Sequence, residues 1–272
     1  MEHFICPVCG ETLLLRENIY ICQNNHSFDR AKSGYVNLLR SQVSSKKRHG
    51  DDKLMIRART AFLEKGYYQP LLDGILAECD KLTTKAVHLC DIGCGEGWYT
   101  DHIFRHLREQ GKVVQMEGID ISKDALSVCA KRNPYIAAAV ASISALPIRT
   151  GSVDMLFNLF APFDTTEFSR VLKKGGIWLK AIPLEKHLFG LKSAIYERPY
   201  ENEVSIEEYN DFELISRQDI KGNIHLVGEN IQNLFCMTPY YYKTGKEDQA
   251  RLAKLDELTT EIEFAVLCYK KI

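Results

Sequence analysis

The stretch Val87-His88-Leu89-Cys90-Asp91-Ile92-Gly93-Cys94-Gly95-Glu96-Gly97-Trp98-Tyr99-Thr100 limits the fold more than any other part of the chain. An apolar β-type run ends in an acid, three glycines follow at alternate positions, and helical spacing begins at once. A parallel sheet builds a nucleotide pocket in this way. From residue 87 onward strand and helix patterns alternate, which predicts an α/β, Rossmann-like domain whose mostly parallel sheet is covered on both faces. Strands are predicted over 87–92, 113–120, 135–142, 152–160 and 177–182. The clearest helix runs from Lys123 to Asn133 behind Ser122 as N-cap. Two further strands, near 212–220 and 262–270, complete a seven-stranded sheet as an antiparallel pair.

The glycine spacing selects among nucleotides. A dinucleotide fingerprint needs G-x-G-x-x-G, and here Gly93-x-Gly95-x-Gly97 is one residue short; no lysine follows to make a phosphate loop. The next strand ends Glu117-Gly118-Ile119-Asp120-Ile121-Ser122, where a carboxylate suits two vicinal ribose hydroxyls. Ala141 to Ile148 follows the third strand, and Arg170-Val171-Leu172-Lys173-Lys174-Gly175-Gly176 comes later as a turn. The set resembles the class I methyltransferases that use S-adenosylmethionine. That resemblance implies that Asp91, Gly93 and Gly95 receive the amino-acid end of the cofactor and Asp120 its ribose. Asp164, at the mouth of the fourth strand, reads either as a base or, in Asp164-Thr165-Thr166-Glu167, as a helix cap, and the capping-box pattern favours the cap.

The N-terminus carries Cys6-x2-Cys9-x12-Cys22-x3-His26, a zinc-site spacing. Thr12–Leu15 and Ile19–Ile21 form a short hairpin that brings the two ligand pairs together. About forty residues bury too little apolar surface to fold alone, and zinc supplies what the core lacks. The alternatives are unrelated core residues or a catalytic zinc, but three cysteines and a histidine fill all four positions and leave none for water. The metal is read as structural, shaping a surface that includes Arg30, Lys32 and Gly34-Tyr35-Val36-Asn37-Leu38-Leu39.

A 45% hydrophobic, 26% charged composition places the 272 residues among ordered globular proteins. No run of 18 apolar residues and no leader pattern appears, so the expectation is a cytoplasmic protein without membrane contact. The nine cysteines, three of them in the zinc pattern, then belong to a reducing compartment. Net charge is −1, yet residues 1–50 carry an excess of about three positive charges. The polar stretch 41–52, with Lys46-Lys47-Arg48, reads as a linker or as a loop contacting phosphates. Helices are expected from Leu54 to near Gly66 and from Pro70 to Cys79, with Tyr67-Tyr68-Gln69 between them.

Together, the zinc module, Gly34–Leu39, Gly66-Tyr67-Tyr68-Gln69-Pro70-Leu71, the glycine loop and His187-Leu188 before Leu191-Lys192 resemble the bacterial 23S ribosomal RNA guanine-N1 methyltransferases of the RlmA type, which include macrolide-resistance members. The resemblance covers essentially the whole chain. It implies zinc ligands at Cys6, Cys9, Cys22 and His26, and S-adenosylmethionine contacts at Tyr68, Gly95, Glu96 and His187. It divides the chain into a zinc-binding RNA-recognition module (1–40), a linker with N-terminal helices (41–86) and a methyltransferase domain (87–272). The implied partner is 23S rRNA, and a homodimer would enlarge the RNA-binding surface. Methylation at guanine N1 requires a proton to leave and the base to be unpaired or extruded, as in a hairpin loop. The residue that takes this proton is not identifiable from sequence. A small-molecule methyltransferase and a non-catalytic zinc-dependent RNA-binding protein are the competing readings.

Overall fold

Four short strands open the chain: β1 (Phe4–Ile5), β2 (Thr12–Arg16), β3 (Ile19–Ile21) and β4 (Ser27–Asp29), an antiparallel sheet in chain order. β2 and β3 are the hairpin expected from their apolar runs, closed through Glu17 at φ 53°. The computed structural model describes residues 3–39 and 50–272, so Lys46-Lys47-Arg48 lies outside the described residues. The remaining elements are β5 (Val36–Asn37), α1 (Lys53–Leu63), α2 (Gln69–Leu82), β6 (Ala86–Ile92), α3 (Trp98–Glu109), β7 (Val113–Asp120), α4 (Lys123–Arg132), β8 (Ala137–Val140) and β9 (Val153–Leu159). They continue with α5 (Thr165–Val171), β10 (Leu172–Pro183), α6 (Phe189–Ile195), β11 (Phe212–Val227), α7 (Glu229–Cys236), α8 (Tyr240–Lys243), α9 (Lys246–Leu252) and β12 (Glu257–Lys271).

The large sheet has the order β11-β12-β10-β9-β6-β7-β8-β5. All pairs from β10 to β5 are parallel, and β12 and β11 add antiparallel at one edge. Seven of these strands give the class I methyltransferase arrangement. The eighth, β5, is the Gly34–Leu39 segment: it pairs with β8 and buries Val36 and Leu38 instead of presenting them as surface. β10 starts earlier than expected because Lys173-Lys174-Gly175-Gly176 is absorbed as an irregularity between Leu172 and Ile177, with Gly175 at φ 75°. β11 and β12 run 16 and 15 residues, longer than the apolar pattern indicated. β11 is an edge strand whose Arg217, Asp219 and Lys221 break that pattern, and charge on an edge guards against pairing with other chains.

One face of the sheet is packed by α2, α3, α6 and α7 through Leu71, Ile103, Leu191 and Leu234. On the other face, no residue of the β8–β9 connection (141–152) is helical. The zinc module occupies that side: Phe4, Leu13 and Tyr20 share one apolar cluster with Cys90, Ile119, Ile148 and Trp178. Ile5 donates its N–H to the Pro147 carbonyl at 2.8 Å, and Arg149 donates to Thr12 Oγ1 at 2.6 Å. Burying side chains of this size contributes about 1.5–3 kcal/mol each, so the module and the sheet stabilise one another.

A buried carboxylate lies at this junction. Glu117 of β7 faces His3 Nδ1 at 2.6 Å, His88 Nε2 at 2.5 Å and the amide of Gln115 at 3.0 Å. His88 Nδ1 donates to the Ser152 carbonyl at 2.9 Å, and with the Glu117 carboxylate at Nε2 an acceptor at each nitrogen favours the protonated ring. Burial opposes that charge, but the hydrogen bond and charge of Glu117 outweigh it and raise the His88 pKa. Burial likewise raises the Glu117 carboxyl, and His3 and His88 outweigh it, leaving the pKa lowered. Among the described residues no helix is long and apolar enough to cross a membrane.

Candidate functional site

The order of strands reverses between β9 and β6, and ligands of open α/β sheets bind at such a point beyond the carboxyl ends of the strands. A cavity of about 1180 Å³ lies there, bordered by the segments that follow β6, β7, β8, β9 and β10. Gly93, Gly95 and Gly97 all have positive φ, at 80°, 56° and 79°. A Cβ on Gly93 would stand 2.3 Å from Ala161 Cβ, and one on Gly97 2.6 Å from Cys129 Sγ. A Cβ on Gly95 would meet only Arg59 Nη1, at 3.4 Å, so this glycine leaves its space to the cavity.

Acids surround that space. Asp91 is 1% exposed; Oδ2 accepts from Thr100 Oγ1 at 2.6 Å, and Oδ1 has no partner among the described residues. Burial pushes its carboxyl up to about 7, against the hydrogen bond from Thr100. Asp120 accepts the N–H groups of Gly95 at 3.0 Å and Ser122 at 2.8 Å, and burial still raises its pKa. Glu96 is raised by burial and opposed by Arg59, whose Nη1 lies 4.0 Å from Oε2. Arg59 also pairs with Asp51.

On the far wall, His187 Nδ1 accepts the Glu263 backbone N–H at 3.2 Å, which puts the ring proton on Nε2. Nε2 stands 3.3 Å from the Tyr68 hydroxyl, so Tyr68 accepts there and keeps its own hydrogen to donate. Burial drives the His187 pKa down to about 3 and the Tyr68 pKa upward, so both groups are neutral at physiological pH. The cavity therefore gathers every cofactor position expected from sequence: Tyr68, Asp91, Gly93, Gly95, Glu96, Asp120 and His187. A ligand bearing an ammonium, a carboxylate and vicinal hydroxyls suits this mixture of unpaired acid, arginine and glycine backbone, and S-adenosylmethionine carries all three.

The other end of the cavity went unread in the sequence. Phe160, 45% exposed and at φ 57°, caps β9, followed by Pro162 and Phe163. A bulky residue held in the left-handed region next to a cavity points to a functional constraint. Lys180 of β10 lies beside Asn158 of β9, and its ammonium sits 4.0 Å from the Phe163 ring centre. Its one signal in the sequence is a charge inside the apolar run Trp178-Leu179-Lys180-Ala181-Ile182; Arg59, within α1, has no comparable signal. Asp164 caps α5, accepting the Glu167 N–H at 3.1 Å.

In the zinc module, one donor atom from each of Cys6, Cys9, Cys22 and His26 lies within 4.8 Å of the others. His26 Nδ1 stands 3.6 Å from Cys6 Sγ and 3.5 Å from Cys22 Sγ, and Cys9 Sγ stands 3.7 Å from Cys22 Sγ. A tetrahedral zinc with ordinary Zn–S and Zn–N bonds has S···S edges of about 3.8 Å and S···N edges of about 3.5 Å, so the donors fit the ion. The backbone N–H of Glu11 helps hold the Cys9 thiol down to about 6, favouring the thiolate that binds metal.

Two family models match the chain: the RlmA N-terminal zinc ribbon over residues 4–47 and a methyltransferase domain over residues 89–176. The 23S rRNA (guanine(748)-N(1))-methyltransferase of Streptomyces fradiae is 28% identical over 98% of this chain and 96% of its own length. Proteins of Micromonospora griseorubida and Bacillus subtilis, assigned provisionally as 23S rRNA (guanine-N1)-methyltransferases, are 30% and 27% identical. They cover 96% and 97% of this chain and 94% and 95% of their own lengths. A relative at 30% identity over nearly the whole of both chains, with the zinc ribbon and the methyltransferase domain in the same order, shows that this chain belongs to the family of 23S rRNA (guanine-N1)-methyltransferases.

Proposed function

We propose that the chain transfers the methyl group of S-adenosylmethionine to N1 of a guanine in a hairpin loop of 23S rRNA. The observation that carries this reading is a single cavity that joins the acidic glycine-loop end to an aromatic, cationic end at Phe160, Phe163 and Lys180. The first end holds the methyl donor: Asp120 keeps acceptor capacity for ribose hydroxyls, Asp91 Oδ1 accepts from the ammonium, and Tyr68 donates to the carboxylate. The sulfonium makes the methyl group electrophilic, so the protein's task is to align it with the nucleophile and exclude water. The second end receives a base taken out of its stack, with Phe160 as the face on which it rests.

The zinc ribbon and Lys46-Lys47-Arg48 grip phosphates, consistent with the positive charge gathered in the first fifty residues. A ribosomal substrate supports a cytoplasmic location for the protein. The test is methylation of 23S RNA from a strain lacking the gene, mapped by primer-extension stops, since a methyl on N1 blocks pairing. A new stop at one loop guanine is expected, and transfer to no guanine overturns the reading.

A further inference from the structure

Lys180 is 7% exposed, yet among the described residues no carboxylate lies within ion-pair distance of its ammonium. Nζ donates to the Tyr209 hydroxyl at 3.0 Å and lies 4.0 Å from the Phe163 ring centre, 5.5 Å from Trp178 and 5.6 Å from Tyr209. The rings and one hydroxyl offset part of the cost of burying the charge, and two of its three N–H donors remain for a ligand. Burial lowers the ammonium's pKa, and the charge of Glu207 opposes that. Glu207 and Lys180 both line the cavity. The other carboxylates there, Asp51, Asp91, Glu96 and Asp120, belong to the glycine-loop end, with Asp51 held by Arg59.

We propose that Lys180 and Glu207 read the pairing edge of the acceptor guanine, Lys180 donating to O6 and Glu207 accepting from N1–H and the N2 amine. The assignment rests on the guanine-N1 reading above and supplies the two groups that reading lacks. Guanine presents an acceptor beside two donors along this edge, which a cation beside a carboxylate matches. Adenine presents an amine where guanine has O6 and a lone pair at N1, and so meets both groups with the wrong polarity. The same pair drives the chemistry. As the N1 proton passes to a Glu207 oxygen and on to water, the N–H bond electrons remain on the ring and spread to O6, against the ammonium. The N1 lone pair then bonds to the methyl carbon while the carbon–sulfur bond breaks and its electrons stay on sulfur as a neutral thioether.

The experiment compares wild type with Lys180→Met, Lys180→Arg and Glu207→Gln. Single-turnover methylation of 23S RNA is followed against pH, together with S-adenosylmethionine affinity by calorimetry, zinc content and Tm. Lys180→Met is expected to slow transfer about 100- to 1000-fold, the usual loss for one donor to a developing oxyanion. Its cofactor affinity and zinc content stay at wild-type levels, and its Tm is unchanged or higher, because a lone buried charge has gone. Its rate keeps climbing to higher pH than wild type, since N1 must then ionise unaided; Lys180→Arg recovers part of the rate. Glu207→Gln, at an exposed position, slows transfer at neutral pH and recovers as hydroxide replaces the base. A wild-type rate and pH profile in Lys180→Met, or a loss that tracks lowered Tm and lost cofactor binding, overturns the proposal. So does a Glu207→Gln variant with wild-type transfer. If wild type itself puts no methyl on guanine N1, the underlying reading fails instead.

Discussion

The proton on His187 Nε2 has a consequence for Tyr68 that the sequence pattern alone does not carry. Because Tyr68 accepts from the histidine, its own hydroxyl hydrogen is left for the cavity, and the pair acts as one oriented donor. Tyr68→Phe is therefore expected to weaken S-adenosylmethionine binding about 10- to 100-fold, the worth of one hydrogen bond to a charged group, while keeping the fold at some cost in stability because His187 Nε2–H loses its acceptor. Titration calorimetry checks this, and an unchanged Kd removes Tyr68 from the carboxylate. With the His187 pKa near 3, its protonation contributes no inflection to that affinity between pH 5 and 8. At this scale the glycine loop, both aspartates, Tyr68 and His187 were legible, the first through spacing and the last two through resemblance. Lys180 and Arg59 were not, because a single cation gains meaning only from what packs around it.

The replacement of a crossover helix by the zinc module is the main event at the level of elements. A 12-residue connection with Ser142, Ser144, Pro147 and Gly151 leaves the apolar side of β6, β7 and β9 uncovered, and Phe4, Leu13 and Tyr20 cover it. The sequence announces a hairpin and an irregular loop, but nothing local says that one lies on the other, since the contacts span well over a hundred residues. Glu117 secures this junction. The stabilisation from His88 is complete below its unfolded value near 6.5 and is lost as pH rises through its raised folded value. That from Glu117 is present above about 4.5 and is lost as pH falls through its lowered folded value. The pair is thus strongest between those limits. Glu117→Gln is expected to cost about 3 kcal/mol near pH 6 and to abolish this part of the alkaline decline in stability. Urea unfolding at pH 6 and pH 9 measures both, and parallel declines in the two proteins would remove the pair from the account.

For the whole molecule, the shared core predicts that the zinc module and the sheet carrying the methyl-donor site unfold as one cooperative unit. Chelation removes a metal worth an apparent ~10–16 kcal/mol to a zinc module and strips cover from the sheet that carries Asp91 and Asp120. Scanning calorimetry with and without chelator is expected to show one transition that moves to lower temperature, with S-adenosylmethionine affinity reduced in parallel. Two separate transitions, with the larger unchanged, would show that the module is merely tethered. The seven strands, mostly parallel with an antiparallel pair at the end, were legible because strands and helices alternate in the sequence; their spatial order was not. The addition of β5 was not, since two residues carry no periodicity. The junction also sets an order of events during synthesis. Phe4 and Leu13 leave the ribosome early, but Trp178, which helps complete their surroundings, follows about 170 residues later. At typical rates of translation that interval is on the order of ten to thirty seconds. Until those partners have assembled, the metal helps hold the module in the shape they require, so zinc-starved cells should lose the nascent protein to aggregation before they lose its activity.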